Sequence, residues 1–309
     1  MINHFISISG GKDSTAVACL ARERMDARSD FRPRFQFCDT MNENELTLEH
    51  VNYLEGALGV AIERLSAYDV PGLIDAGAFE RKRVSIAENW PKELRRKQHS
   101  DECISRRNNL PKLAPGCRHS PERKAAVAAM AYRCDDECPV VISPPVPEHR
   151  IVAAIGALKS TGNAFLDMCL LHGRFPSKKA KFCTEELKLM PLTMAKHPIW
   201  DSGGVTMDWV GERADESLDR AKRPVIQRQC IREGTRIIWR PIHKWTSADV
   251  FAIAKRHGLR PNPLYLMGAS RVGCWPCINA RKKEVALVAR LTPEKIDWLR
   301  EAERLVSLV

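Results

Sequence analysis

The sequence contains no run of about 18 apolar residues, so no membrane-spanning helix is expected. It opens on MINHFISISGGKDS, which has neither a basic stretch nor an apolar stretch with a cleavage site, and we expect no signal peptide. These two absences predict a cytoplasmic protein without a membrane partner. A Walker A pattern is also absent, which excludes the P-loop NTPases, and no internal repeat is found.

Cysteine and positive charge, in contrast, are abundant. Eleven cysteines are present, and in a reducing compartment they serve as core thiols, metal ligands or catalytic groups rather than as disulfides. The net charge is +11, which indicates an anionic partner such as a nucleotide or a nucleic acid. Residues 81–133 hold fourteen Lys and Arg against five Asp and Glu, so this segment alone carries +9.

Short apolar segments alternate with helical patterns at both ends of the chain. The predicted strands are 2–8, 34–38, 60–65, 205–210 and 237–242, and the predicted helices are 13–28, 43–58, 246–257 and 292–309. Thr246 is the expected N-cap of the third helix and Gly258 its stop. This alternation predicts an α/β protein with a doubly wound, mostly parallel sheet and a helical C-terminal part.

The segment SGGKDS, Ser9 to Ser14, stands between the first strand and the first helix. Gly10 and Gly11 would let the backbone approach an anion, and the helix N-terminus offers unpaired N–H groups and the positive end of a dipole. Lys12 can meet phosphate oxygens, the two serines can donate hydrogen bonds, and Asp13 can hold Mg²⁺ or cap the helix. The simpler alternative is a glycine turn before an ordinary helix. The order of strand, loop and helix favours a phosphate site.

Five further segments follow SGGKDS along the chain. They are 37–43 (FCDTMNE), 182–191 (FCTEELKLMP), 211–217 (GERADES), 240–250 (RPIHKWTSADV) and 271–277 (RVGCWPC). Taken in order, these motifs resemble the phosphoadenosine phosphosulfate (PAPS) reductase family. That family is part of the PP-loop, or adenine nucleotide alpha-hydrolase, superfamily, which also includes ATP pyrophosphatases and tRNA thiolation enzymes. Met41 stands where the family usually has glycine.

The resemblance implies a HUP-type fold, an adenine nucleotide such as ATP with Mg²⁺, and a set of site residues. Ser9 to Ser14 would take the phosphates, and Asp39 and Thr40 would lie at the carboxyl end of the second strand, where doubly wound sheets bind ligands. The remaining nucleotide-binding residues would be Arg174, Lys188, Gly211 and Arg213. The candidate catalytic residues are Lys12, Asp13, Cys183 and Arg213. Taken one at a time, Arg174, Lys188 and Arg213 could instead be surface cations, and this alternative is weakest for Arg213, which stands in a motif loop after a strand.

The pair Cys274 and Cys277 in CWPC is suited to a metal, an iron–sulfur cluster or redox chemistry. The resemblance adds Cys183, since iron–sulfur members of the family bind a 4Fe–4S cluster through a cysteine pair near this position and a distal CxxC. Here Phe182 replaces one cysteine of that pair. Three interpretations stay open: a three-cysteine cluster with an open iron, a fourth ligand at Cys230, or thiols that only pack.

We divide the chain into residues 1–78, the N-terminal half of the PP-loop domain, residues 79–150, a basic insertion, and residues 151–309, the rest of the reductase-like domain. The insertion is expected to be helical near 120–132 and to leave through a stiff proline-rich linker at 139–147. Its cysteines are Cys103, Cys117, Cys134 and Cys138. They could hold zinc, although the spacing fits no standard finger and unrelated thiols are an equal alternative.

Three functions compete. In the first, the protein cleaves ATP to AMP and pyrophosphate and transfers sulfur to an acceptor such as DNA or RNA, as the resemblance to DndC-type DNA phosphorothioation sulfurtransferases implies, with a cysteine desulfurase as the sulfur donor. In the second, it is a sulfonucleotide reductase, but the expected ECG-x-H tail is missing and no cysteine follows Cys277. In the third, it binds nucleic acid without catalysis, through the basic insertion.

Overall fold

The computed structural model describes residues 2–99 and 138–309. Among these residues the strands are β1 Ile2–Ile8, β2 Arg34–Asp39, β3 Ile62–Ser66, β4 Leu94–Lys97, β5 Val140–Ser143, β6 Val205–Trp209, β7 Ile226–Ile231 and β8 Gly234–Trp239. The helices are α1 Lys12–Ala27, α2 Glu45–Leu58, α3 Ala76–Asn89, α4 Glu148–Ala157, α5 Ala164–His172, α6 Phe182–Thr184, α7 Met190–Met194, α8 His197–Asp201, α9 Leu218–Ala221, α10 Ser247–Arg256, α11 Pro263–Leu266, α12 Lys282–Leu291 and α13 Pro293–Val306. A π-helical turn, Glu185–Leu189, joins α6 to α7.

A six-stranded sheet forms the centre, with the order β3-β2-β1-β6-β8-β7. The first five strands are parallel, and β7 pairs with β8 in the antiparallel direction. The predicted α/β class and doubly wound, mostly parallel sheet are confirmed, in agreement with a HUP-type fold. The strand order reverses at β1, so the carboxyl ends of β1 and β6 flank a crevice of the kind in which open α/β sheets bind ligands.

Two large apolar cores hold the helices in place. The first packs α1, α2 and α10 on the sheet around Ile6, Val17, Leu54 and Trp209. The second lies away from the sheet among α3, α4, α5 and α13. None of the helices in residues 2–99 and 138–309 is long and apolar enough to cross a membrane.

A buried ion pair links Lys196, just before α8, to strand β6. The ammonium of Lys196 donates to Asp208 at 2.6 Å, and both side chains are only 2% exposed. Asp208 accepts a second bond of 2.6 Å from Arg236. Each charge in this unit therefore has an opposite charge at hydrogen-bond distance, as burial requires.

The predicted limits of the basic insertion fall inside two helices, since residue 79 lies in α3 and residue 150 in α4. These helices contribute to the second core, so the ends of that segment are part of the domain. The proline-rich stretch is not only a linker, because its β-branched residues Val140, Val141 and Ile142 form β5, which pairs with β4. The helix expected near 120–132 lies outside the described residues.

Candidate functional site

The loop Ser9–Ser14 follows β1 and leads into α1, as predicted. Gly10 has φ = +69°, and a Cβ there would stand 2.8 Å from Cγ2 of Thr47. The hydroxyl of Ser14 accepts hydrogen bonds of 3.1 Å from the backbone N–H and the hydroxyl of Ser9, and it donates to the carbonyl of Gly11 at 2.9 Å. The serines therefore shape the loop from within.

The loop after β6 packs against the start of α1. Arg213 is buried and donates to Asp13 at 2.5 Å and to Asp215 at 2.5 Å. Lys12 lies 3.3 Å from the second oxygen of Asp13. The interpretation that Asp13 caps α1 is wrong, because the N-cap residue is Gly11 and no side chain caps it. Asp13 instead ties the phosphate loop to the 211–217 motif.

A third segment covers the loop from outside. The buried side-chain amide of Asn262 donates to the carbonyl of Gly10 at 3.1 Å. The hydroxyl of Tyr265 accepts a bond of 3.0 Å from the backbone N–H of Lys12. The same stretch of chain continues to Cys274, which pairs with Glu43 in an isolated antiparallel bridge. One segment therefore contacts the phosphate loop at one end and the thiols at the other.

The carboxyl end of β2 supplies an acidic centre. Asp39 ends the strand and accepts the backbone N–H of Met41 at 2.7 Å. Thr40 donates its N–H and its hydroxyl to Glu43 at 3.1 and 2.8 Å. Met41 stands where the family usually has glycine. Its φ of +57° is in the left-handed region that favours glycine, although methionine has a Cβ. Only 2% of the Glu43 side chain is exposed.

Lys188 joins this acidic centre to the thiols. Its ammonium lies 3.6 Å from Glu43, and Cys274 Sγ lies 4.0 Å from the same carboxylate. Burial lowers the pKa of Lys188, but the charges of Cys274 and Glu43 raise it more, so its net pKa is above the usual lysine value. Burial raises the pKa of Cys274, and Lys188 opposes that shift. Lys188 therefore stabilises the thiolate form of Cys274.

Cys183 belongs electrostatically to the same group. Burial raises its pKa, and the charges of Cys274 and Cys277 raise it further. Among residues 2–99 and 138–309, however, no group of three or more His, Cys, Asp or Glu side chains is placed to hold a metal ion. The arrangement of these thiols in this structure is therefore not that of a 4Fe–4S site, and the cluster stays a prediction.

Three predicted residues are not assembled with these groups. Cys230 lies on the edge strand β7 and pairs with Thr235 near the start of β8. The start of β8 is the amino end of the parallel strands, whereas the site lies at their carboxyl ends. In addition, three strands separate β7 from β2. The structure therefore does not bring Cys230 to the other thiols. Arg174 is exposed beyond α5. Cys138 is buried, while the other three cysteines of the suggested zinc site lie outside the described residues.

Sequence reasoning missed several residues of this site. Glu43 belongs to the FCDTMNE motif, and its position three residues after Thr40 in that loop is the signal that could have identified it. Asn262 and Tyr265 fall between two motifs, in the stretch RPNPLYLMG. Only the fold brings them to the phosphate loop, since their contacts span more than 250 residues of sequence.

Comparison with known proteins finds one domain match and several relatives. Residues 172–280 match the phosphoadenosine phosphosulfate reductase domain, a stretch that includes Cys183, Lys188, Arg213 and the CWPC pair. The match covers about a third of the chain, and over that stretch the chain is similar to the PAPS reductases. An uncharacterized 37.8 kDa protein of Escherichia phage 186, from the gpa 5' region, is 37% identical over 305 residues, which is 98% of this chain and 75% of that protein.

Matches to named enzymes are shorter. The adenosine 5'-phosphosulfate reductase of Chelativorans sp. strain BNC1 is 32% identical over 102 residues, which is 32% of this chain and 37% of that enzyme. A crystal structure of PAPS reductase from Candida auris in its phosphate complex aligns with 89% of this chain and 82% of its own, at 12% identity and a TM-score of 0.41.

Proposed function

We propose that the protein binds an adenine nucleotide on the loop Ser9–Ser14 and cleaves ATP to AMP and pyrophosphate, so that an acceptor is activated for sulfur transfer. One observation carries the proposal: the segment 262–277 contacts the phosphate loop through Tyr265 and the Glu43–Lys188 pair through Cys274. An activated phosphorus and a thiol sulfur would then lie on adjoining loops. The match of residues 172–280 to the phosphoadenosine phosphosulfate reductase domain supports an enzyme that handles such nucleotides.

The first step would be adenylylation. An oxygen of the acceptor attacks the α-phosphorus, the bond to the bridging oxygen breaks, and pyrophosphate leaves. The first-turn N–H groups of α1 and the ammonium of Lys12 would stabilise the charge that develops on the leaving group. In this scheme Arg213 holds Asp13 and keeps the head of α1 in position.

The second step would replace AMP by sulfur. A donor such as a cysteine desulfurase delivers sulfane sulfur to Cys274 as a persulfide. The terminal sulfur attacks the acceptor atom that bears the adenylylated oxygen, which is carbon in a base and phosphorus in a phosphodiester. The bond from that atom to the oxygen breaks, and AMP leaves with the oxygen. Attack of Cys277 on the Sγ of Cys274 then releases the sulfur on the acceptor and oxidises the two cysteines to a disulfide, which an external thiol must reduce.

Magnesium was predicted at Asp13. In this structure both carboxylate oxygens of Asp13 face cations, Arg213 at 2.5 Å and Lys12 at 3.3 Å, so the residue does not fit a metal ion in this arrangement. Neither proposed step therefore uses a metal ion at Asp13. A requirement for Mg²⁺ stays a prediction, which the product assay tests.

Sulfonucleotide reduction is the second candidate, favoured by the likeness to the Chelativorans reductase. The thiolate of Cys274 would attack the sulfur of the sulfonucleotide and AMP would leave. Cys277 would then attack Cys274, release sulfite and leave a disulfide. The two candidates use the same nucleotide loop and differ in substrate and product.

The acceptor in the first scheme is proposed to be a nucleic acid, of which transfer of the DndC type to DNA is one form. Support comes from β4, where Arg95, Arg96 and Lys97 are all exposed on a two-stranded ribbon. Arginine and lysine in such a row suit contacts to the phosphates of a nucleic acid.

An assay of products separates these functions. Purified protein is incubated either with α-labelled ATP, a nucleic acid and a persulfide donor or with adenosine 5'-phosphosulfate, in each case with a reducing thiol and with or without Mg²⁺. AMP, pyrophosphate and sulfite are then measured. Lys12→Ala combined with Asp13→Ala should abolish AMP formation from either substrate. The matched control is Arg300→Ala with Asp297→Ala, an exposed pair on α13, which should behave as wild type. Unchanged AMP formation in the loop variant would refute the assignment.

A further inference from the structure

The hydroxyl of Tyr265 lies at the head of helix α1, where a ligand for the helix would bind. Its oxygen accepts a 3.0 Å hydrogen bond from the backbone N–H of Lys12. That N–H is in the first helical turn and has no acceptor within the helix. The hydroxyl and the backbone carbonyl oxygen of Val272 each lie 3.5 Å from the point where a Cβ on Gly11 would stand, so Val272 shares this end of the helix with Tyr265. The phenol oxygen of Tyr265 therefore occupies a position at the N-terminus of α1 that a ligand oxygen could otherwise take.

Packing holds the tyrosine in this place. The ring of Phe251 meets that of Tyr265 edge to face, with the centroids 5.7 Å apart, and the ammonium of Lys12 lies 5.7 Å from the ring centroid. Asn262, three residues earlier, is buried and bonded to Gly10. Burial raises the pKa of Tyr265 to about 12, so the group is a neutral hydroxyl at physiological pH.

The N–H groups of a first helical turn are the donors that a bound phosphate uses. A phosphate oxygen and the Tyr265 oxygen cannot both occupy the same position on the Lys12 N–H. An anion is the stronger acceptor, because charge-assisted hydrogen bonds are about twice as strong as neutral ones. Binding of a phosphate oxygen to the Lys12 N–H therefore requires that the hydroxyl give way.

We propose that Tyr265 is a positioning residue that stands in for a phosphate oxygen until the nucleotide binds, and that its displacement reports phosphate occupancy to the segment ending at Cys274. The inference rests on the proposed nucleotide binding and adds a specific competitor within the chain. Val272 lies seven residues after Tyr265 and two before Cys274, so movement of the hydroxyl changes a contact next to the thiol.

The test compares Tyr265→Phe with wild type in calorimetric titrations with inorganic pyrophosphate and with a non-hydrolysable ATP analogue. The variant keeps the ring and loses only the competing oxygen. It should bind both ligands about threefold to tenfold more tightly, the range that one net hydrogen bond supplies. Tyr53→Phe is the matched control, because the Tyr53 hydroxyl accepts a 3.1 Å bond from the backbone N–H of Arg260, and its affinities should equal those of wild type.

Equal or weaker binding by Tyr265→Phe would overturn the inference and leave the nucleotide-binding function intact. An equal gain in Tyr53→Phe would overturn it too, since general loosening would then explain both. If wild type binds neither ligand, the proposed function fails and the inference fails with it. If Tyr265→Phe does not fold, NMR provides a second measurement on the wild-type protein, isotopically labelled at its lysine amides and tyrosine rings. Pyrophosphate must shift the Lys12 amide and the Tyr265 ring together, and a Lys12 shift alone contradicts displacement.

Discussion

Gly211 lies against Asp13 so closely that a Cβ at position 211 would stand 2.9 Å from the carbonyl carbon of Asp13 and 3.1 Å from the backbone nitrogen of Ser14. The neighbours are backbone atoms of α1, which cannot rotate away as a flexible side chain can. The loop after β6 and the head of α1 are therefore in direct main-chain contact. This contact, together with the Arg213–Asp13 pair, fixes the phosphate loop relative to the neighbouring strand.

Gly211→Ala should separate the two loops. We expect a loss of about 1–3 kcal/mol in the free energy of unfolding, the usual cost of overpacking, and at least a tenfold loss in affinity for ATP. Denaturant unfolding and calorimetry measure the two effects. Gly56→Ala is the control, since a Cβ there meets nothing within 4 Å and should stabilise the helix α2 by about 0.5–1 kcal/mol. Full affinity in Gly211→Ala would mean that the loops tolerate separation.

Much of the frame around this contact follows from local sequence. The strand, loop and helix of residues 2–27, the carboxyl end of β2 at Asp39, the Thr246 cap and the Gly258 stop were all predicted, because each rests on periodicity or on a capping pattern within about ten residues. The Thr246 side chain does accept from the N–H of Asp249, and Gly258 has φ = +68°. The edge strand β7 was missed, because its alternation is weak and exposed.

The assembly of the site could not be predicted in the same way. Tyr265 and Asn262 reach the phosphate loop only through the packing of α11 against α2, and nothing local to RPNPLYLMG marks them. Cys230 was suggested as a ligand from residue type alone, and strand order then placed it at the wrong end of the sheet. Lys188 was expected to neutralise a phosphate, whereas a π-helical turn directs it to Glu43 and Cys274. Contacts between distant segments require the fold.

Lys188→Met should slow the reaction of Cys274 with iodoacetamide. The lysine charge lowers the pKa of this thiol against the effect of burial, and the thiolate is the reactive form. Its loss should raise the pKa further and reduce the alkylation rate about threefold to tenfold at pH 8, since one pKa unit is a tenfold change in thiolate. Peptide mass spectrometry measures the rate, with the exposed Cys230 as internal reference. A faster rate would show that Lys188 shields the thiol instead.

Met41 provides a test of backbone strain. A residue with a Cβ at φ = +57° costs about 1–2 kcal/mol that glycine avoids. Glycine also has the greater entropy in the unfolded state, which offsets part of this gain. The free energy of unfolding of Met41→Gly should therefore exceed that of Met41→Ala by about 1 kcal/mol. At Val152, exposed on α4, the same comparison should favour alanine by about 1 kcal/mol. If Met41→Ala is the more stable variant in urea unfolding, the left-handed backbone is not strained.

The exposed row on β4 predicts salt-dependent binding of nucleic acid. Replacing Arg95, Arg96 and Lys97 together by alanine should weaken binding of duplex DNA and lower the slope of log affinity against log salt by about 2 to 3, since each phosphate contact contributes about 0.9. Filter binding at salt concentrations from about 50 to about 200 mM measures this slope. The control variant replaces three other exposed lysines by alanine, Lys178, Lys179 and Lys181. It removes the same charge from a different part of the surface. Equal losses in both triple variants would indicate an effect of net charge alone.

His50 predicts how stability depends on pH. Burial, and then the charge of Arg260, lower its pKa to about 4, while an unfolded histidine titrates near 6.5. The unfolded state therefore binds the proton first, so stability is fully present above about pH 6.5 and is lost as pH falls toward 4. From pH 7 to pH 5 this group alone should remove about 2 kcal/mol. Urea unfolding of wild type and His50→Gln at both pH values isolates the contribution, because the variant keeps every carboxylate. Equal losses in the two proteins would mean that the His50 pKa is not depressed.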